Sequence, residues 1–228
     1  MKYLMPLIIG LSSVFAAPLA HADLNLLSHT DAVSGLKAAL EKGSVAAVGK
    51  LGVADGFFAN PKVKIPLPDS LQKIEKGLKL LGMEKQADEL VLSMNRAAEA
   101  AVPEARILLL NAVKQMSVDD AKKILSGGDD SVTQYFKGKT QTPLGQKFLP
   151  IIKKTTARVG LAQKYNALAG KGMKLGLVKE EQASIEQYVT AKALDGLYLM
   201  IAEEERAIRK DPIGSGSAIL KKVFGALK

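Results

Sequence analysis

Two carboxylates in a nearly apolar stretch are the side chains of this chain best placed to do chemistry. Asp195 stands within ALDGLYLMIA, residues 193–202, and Glu204 lies four residues past Met200 and four before Ile208. A carboxylate removed from water must be paired or have its pKa moved, and two such groups can work as general acid and base. Arginine is the partner that suits them, because its planar guanidinium grips a carboxylate with two donors. Arg96, in SMNRAAEAA at residues 93–101, fills that role, with Glu99 three residues on. Arg96, Glu99, Asp195 and Glu204 are therefore read as one candidate polar network, the alternative for Arg96 and Glu99 being a surface pair at i,i+3 spacing. It is either an ion-pair cluster of the core or the polar end of a ligand pocket. Glu205 and Arg209 read as an ordinary surface pair at i,i+4 spacing.

Other chemical motifs fail on their spacing. Gly138-Lys139-Thr140 ends like a phosphate-binding loop, but Thr133 stands where that loop needs its first glycine. Gly170-Lys171-Gly172 followed by Gly176 misses the dinucleotide fingerprint by one residue, and no strand precedes it. Asp129-Asp130 lacks the spaced oxygen ligands and closing glutamate of a calcium loop. The chain has no cysteine and two histidines, of which only His29 lies beyond the first 22 residues. A histidine-dependent nucleophile and a histidine-ligated metal are thereby disfavoured, and no metal or cofactor is expected.

Charge supplies the second candidate site. Ser131 to Lys179 contains nine lysines, Arg158 and no acid. The chain from Asp23 onward carries a net +8, so everything outside that segment sums to −2. The basicity belongs to one part of the molecule. Lys153, Lys154 and Arg158 fall on neighbouring helical turns, with Lys147, Lys164, Lys171 and Lys174 nearby, and Phe148, Ile151, Ile152 and Leu161 supply an apolar face. Basic amphipathic helices of this kind lie on anionic membranes, though such a run can also be only a solvated face. A third candidate is the irregular segment Gly52 to Pro68, which holds Phe57, Phe58, Ile65 and Leu67. Long apolar loops are often binding loops, and the alternative is that the phenylalanines anchor the segment to the core.

The elements that must position these groups are helical. Apolar spacing is helical nearly throughout, without convincing period-two alternation, and the expected fold is all-α: one compact domain of about eight or nine helices. Helices are predicted from Thr30 to about Gly49, from a capping box at Asp69 and Gln72 to Leu81, and from Glu84 to Met116 with a break at Pro103. Ser117 and Asp120 form a second capping box, for a helix ending at Gly127-Gly128. Asp129 or Asp130 caps a short helix through Phe136. Thr142-Pro143 starts another, bent at Pro150, and Gly160, Gly170, Gly172 and Gly176 divide the rest of the basic segment into short turns. The clearest helix runs from about Ser184 to Arg209, with a short one from Ala218 to Leu227.

Residues 1–22 read as a cleaved export signal. Lys2 is the basic start, Leu4–Ala17 the apolar run and Ala20-His21-Ala22 the cleavage site. Residues 23–228 are then a single helical domain in the periplasm, with no transmembrane segment. Without disulfides it must rest on its core. Export disfavours nucleic acid and favours anionic lipid or another envelope polymer as partner of the basic segment.

DGFFANPKVKIPLP, SMNRAAEAA, GGDDSVTQYF and ALDGLYLMIAEEERAIRKDP occur in that order. Together they resemble a bacterial family known as domain of unknown function 4197, over roughly Ala32 to Phe224. The resemblance implies an exported, mainly helical protein, and it carries over no activity and no catalytic residue. The leading functional expectation is a periplasmic, non-enzymatic binding protein for an amphipathic or anionic envelope component such as a lipid. The runner-up is a structural or adaptor protein contacting another envelope protein. The third is a carboxylate-dependent enzyme using Asp195, Glu204 and Arg96.

Overall fold

Leu36, Leu40, Ser44, Val48 and Leu51 recur three or four residues apart and are all buried, with Ala39 and Ala47 beside them, which makes one face of their helix the floor of the core. This is α1, His29–Leu51. A computed structural model describes residues 29–73, 82, 84–174, 179 and 182–211. The export signal, the end of the helix expected to reach Leu81, and the helix expected at Ala218–Leu227 lie outside the described residues.

The remaining elements are α2 (Asp69–Lys73), α3 (Glu84–Ala101), α4 (Ala105–Lys114), α5 (Val118–Ser126), α6 (Ser131–Thr156), α7 (Gly160–Lys174) and α8 (Ile185–Lys210). Among the described residues there is no strand, and seven helices have nine residues or more. The fold is all-α, as expected, with slightly fewer long helices. A single 3-10 turn, Val102–Glu104, separates α3 from α4 at Pro103, the predicted break. The Ser117–Asp120 capping box is present in both directions: Ser117 Oγ accepts from the Asp120 N–H at 3.0 Å, and Asp120 Oδ2 accepts from the Ser117 N–H at 3.1 Å. Hydrogen bonds from Ser117 hold the Asp120 carboxyl below its ordinary pKa. Ser184 caps α8 by accepting from the Gln187 N–H at 3.2 Å.

The expectations for residues 129–176 need correction. No short helix ends at Phe136 and no new one starts at Pro143: α6 runs unbroken through Pro143 and Pro150. Each proline withholds one N–H from the carbonyl four residues earlier, a cost that isolated helices do not bear. Here Leu144, Phe148 and Ile152 are wholly buried on the opposite face, and their packing holds the helix through both interruptions. Gly160 does mark a boundary, opening α7 after residues 157–159, but Gly170 and Gly172 fall inside α7, where Leu161, Ala162, Tyr165 and Ala169 are buried; Gly176 lies outside the described residues. Burial of that face outweighs the weak helix propensity of glycine.

α6 and α8 form the most extensive helix pair, α3 crosses α6, and α1 lies against α8 and α4. Residues 52–68 form an irregular strap over this assembly. Phe57, Val63, Ile65 and Leu67 are buried, so the strap is anchored through its apolar side chains. Two close approaches fix its path. A Cβ on Gly56 would sit 2.5 Å from the Leu51 carbonyl oxygen, and one on Gly196 of α8 would sit 2.8 Å from Phe57 Cε1 and 3.3 Å from Val63 Cβ. Gly196 thus gives the Phe57 ring its place against α8. Gly196→Ala is expected to destabilise by about 1–3 kcal/mol through overpacking. A urea titration that left the midpoint unchanged would show that the ring moves aside freely.

Candidate functional site

The polar residues of α3 are turned toward the strap rather than toward α8. Asn95 is wholly buried, and its side chain works on the Ile65 backbone as a neighbouring strand would. Its Oδ1 accepts from the Ile65 N–H at 2.8 Å, and its Nδ2 donates to the Ile65 carbonyl at 2.9 Å and to the Val91 carbonyl at 2.8 Å. One turn on, Glu99 Oε1 accepts from the N–H groups of Phe57 and Phe58, both at 3.0 Å. Glu99 Oε2 accepts from Arg96 at 2.6 Å, and Arg96 donates its other terminal nitrogen to Asp55 Oδ1 at 2.7 Å. These bonds raise the Arg96 pKa further, Glu99 contributing most. Asp55 holds a left-handed backbone, φ 67°, where the chain turns into the strap. Phe58 is half-buried, with Lys64 Nζ 4.4 Å and Arg96 Cζ 5.7 Å from its ring centre.

The four-residue network expected from the sequence therefore separates into parts. Arg96 and Glu99 pair as i,i+3 neighbours, Glu99 being buried beneath the strap. Asp195 is exposed and makes no ion pair among the described residues. It shares the outer face of α8 with Lys192 and Leu199, three residues before and four after it, so it stands away from Arg96. Glu204 bonds Lys50 of α1 at 2.5 Å at the half-exposed α1–α8 seam. The adjacent Glu203 bonds Lys62 of the strap at 2.7 Å.

The buried carboxylate of α8 is Glu205, which the sequence placed on the surface. Only 5% of it is exposed. It points at the start of α6, where Asp130 makes no side-chain capping bond. Glu205 Oε1 accepts from the Val132 N–H at 3.3 Å, and Oε2 accepts from the Thr133 N–H at 3.4 Å. A carboxylate from another helix thus satisfies the first free amides of α6, where the helix dipole also favours negative charge. Arg209 completes the cluster, donating to Glu205 Oε1 at 2.9 Å, Ser131 Oγ at 2.8 Å and the Ile124 carbonyl at 3.2 Å. Burial nevertheless pushes the Glu205 carboxyl above its ordinary pKa.

Residues 131–174 of the acid-free segment form α6 and α7, joined at a corner over residues 157–159. Lys147, Lys153, Lys154, Arg158 and Lys164 are all exposed. Lys147 has Glu104 at 3.9 Å, and the other four pair with no carboxylate among the described residues. Lys147, Lys154 and Arg158 share one stripe of α6 and its end, seven and four residues apart. Lys153 lies further round, one turn beyond Leu149, which is 38% exposed. Lys171 and Lys174 belong to α7, but their side chains are outside the described ones. No group of histidine or carboxylate side chains among the described residues is arranged to hold a metal ion. No described helix is long and apolar enough to cross a membrane.

The closed α3 clamp and the α6–α7 corner thus differ in what they can do. The side-chain oxygens and nitrogens of Asn95 and Glu99 are all engaged by the protein's own backbone or by Arg96, while the corner presents cations that have no carboxylate partner among the described residues. Neither curated proteins nor solved structures include a match to this chain. A family model described as "Protein of unknown function (DUF4197)" matches residues 26–225.

Proposed function

The chain belongs to the family described as protein of unknown function (DUF4197), and from that premise we propose that it is an exported, periplasmic, non-enzymatic binding protein. Its ligand is an anionic, amphipathic envelope component of the lipid kind, met by the corner between α6 and α7. The observation that carries the reading is the set Lys153, Lys154, Arg158 and Lys164: exposed, close in sequence around one helix turn, and without carboxylate partners among the described residues. Cations already paired within the protein would gain little from an outside anion. Unpaired cations near an anionic lipid surface contribute about 1 kcal/mol each.

Co-sedimentation with phosphatidylglycerol vesicles at low salt tests this. The chain is expected to bind these and not phosphatidylcholine vesicles. Lys153→Ala, Lys154→Ala and Arg158→Ala together are expected to weaken binding about 100-fold, with the melting temperature unchanged. Equal binding by the triple variant, or no preference for anionic vesicles, would remove the reading.

A further inference from the structure

An open groove of about 900 Å³ runs between α6 and α8. Its apolar lining comes from Leu149 of α6 and Ala191 and Leu194 of α8, with Gly145 leaving the α6 wall low. A Cβ built on Gly145 would meet only Leu194 Cδ1, at 3.9 Å, so this glycine opens on free space. The rim carries the amides of Gln141, Gln146 and Gln187. Thr190, also in the lining, spends its hydroxyl on the Glu186 carbonyl of its own helix, at 2.7 Å. Lys179 is the charged residue among the described residues of the lining, and no carboxylate is among them. The size is that of a small-molecule site.

We propose that this groove binds a single-chain anionic amphiphile of the fatty-acid class. The alkyl chain lies along Gly145, Leu149, Ala191 and Leu194, and the carboxylate is held at the Lys179 rim. Two features select this occupant. An apolar floor with an amide rim fits one narrow chain carrying one polar end. Among the described residues the lining has a cation and no acid and comes largely from the acid-free segment, which favours a negative end over a neutral or positive one. The inference deepens the lipid-binding reading and rests on it for ligand class, but it uses different residues. Lys147 stands two residues from Leu149, hence on the opposite side of α6, so filling the groove leaves that stripe of the basic face untouched.

The test is titration of the full-length processed protein with dansyl-labelled undecanoate, followed by displacement with laurate. Wild type is expected to bind saturably and to release the probe to laurate but not to dodecanol at equal concentration. Gly145→Leu and Ala191→Leu, which fill the groove from opposite walls, are each expected to weaken probe binding at least about tenfold. Gly145→Ala is expected to bind as wild type does. Phosphatidylglycerol vesicle binding should persist in all three. If one leucine variant fails to fold, by circular dichroism, the other decides. Absence of saturable probe binding, wild-type affinity in the folded leucine variants, or equal displacement by dodecanol would overturn the proposal. Probe binding without vesicle binding would remove the reading of the α6–α7 corner and leave the groove.

Discussion

Arg209→Met will lower the stability of the fold by about 3–5 kcal/mol at neutral pH, because it leaves Glu205 charged and buried without its cation. The methionine keeps much of the side-chain volume, so the loss reports charge rather than packing. The pH dependence gives a second signature. Burial already places the Glu205 carboxyl above its ordinary value in the folded protein. Between the ordinary and the folded value, the folded state holds a proton that the unfolded state has released. The contribution of this group to stability therefore falls as pH rises through that window. Arg209 is the strongest group holding the carboxyl ionised, so its removal raises the carboxyl further. The deficit of the variant should grow toward neutral pH and shrink toward mild acid. Urea titrations of both proteins across that range measure it, and a pH-independent deficit would mean that Arg209 acts through packing alone.

Glu99→Ala will cost about 3 kcal/mol, because the Phe57 and Phe58 N–H groups lose their acceptor and a buried donor without one costs about 1–3 kcal/mol. Arg96→Ala should cost less than Glu99→Ala, since the Phe57 and Phe58 N–H groups keep their acceptor at 3.0 Å, although the buried Glu99 Oε2 loses its cation. Faster amide exchange at Phe57 and Phe58 in Glu99→Ala, with α6 still protected, would locate the loss in the strap. A variant within about 0.5 kcal/mol of wild type would show that the strap is held without Glu99, by its buried apolar side chains and by Asn95.

How far these sites could be read from the sequence depended on the range of the interaction. The Ser117–Asp120 cap, the break at Pro103 and the start of α8 at Ser184 involve residues at most three apart, and local chemistry decides them. The continuous α6 could not be read that way. Pro143 and Pro150 signal a stop, and only the long-range burial of Leu144, Phe148 and Ile152 overrides it. The phase of α8 failed for a related reason. Residues 193–202 are apolar enough that several faces could have been the inner one. Gly196 sits against Phe57 from a segment far away in sequence, turning Asp195 outward and Glu205 inward. Arg96 and Glu99 were identified as a pair. Their partner was not the α8 carboxylates but the backbone of a segment read as apolar.

The strap also bears on the order in which the molecule can be made. It is clamped to α3 some 40 residues downstream, Phe57 to Glu99 being 42 apart, but Lys62 reaches Glu203 and Lys50 reaches Glu204, 141 and 154 residues away. Phe57 itself is closed over by Gly196. The first helix and the strap therefore have no finished surface to settle on until the last described helix exists. A nascent chain delivered N-terminus first carries Leu36, Phe57 and Ile65 uncovered for most of its length, a contact pattern that folds slowly and exposes apolar surface while it waits. For such a chain, folding is in effect post-translational, and a holdase that shields the early segments has a physical task to perform.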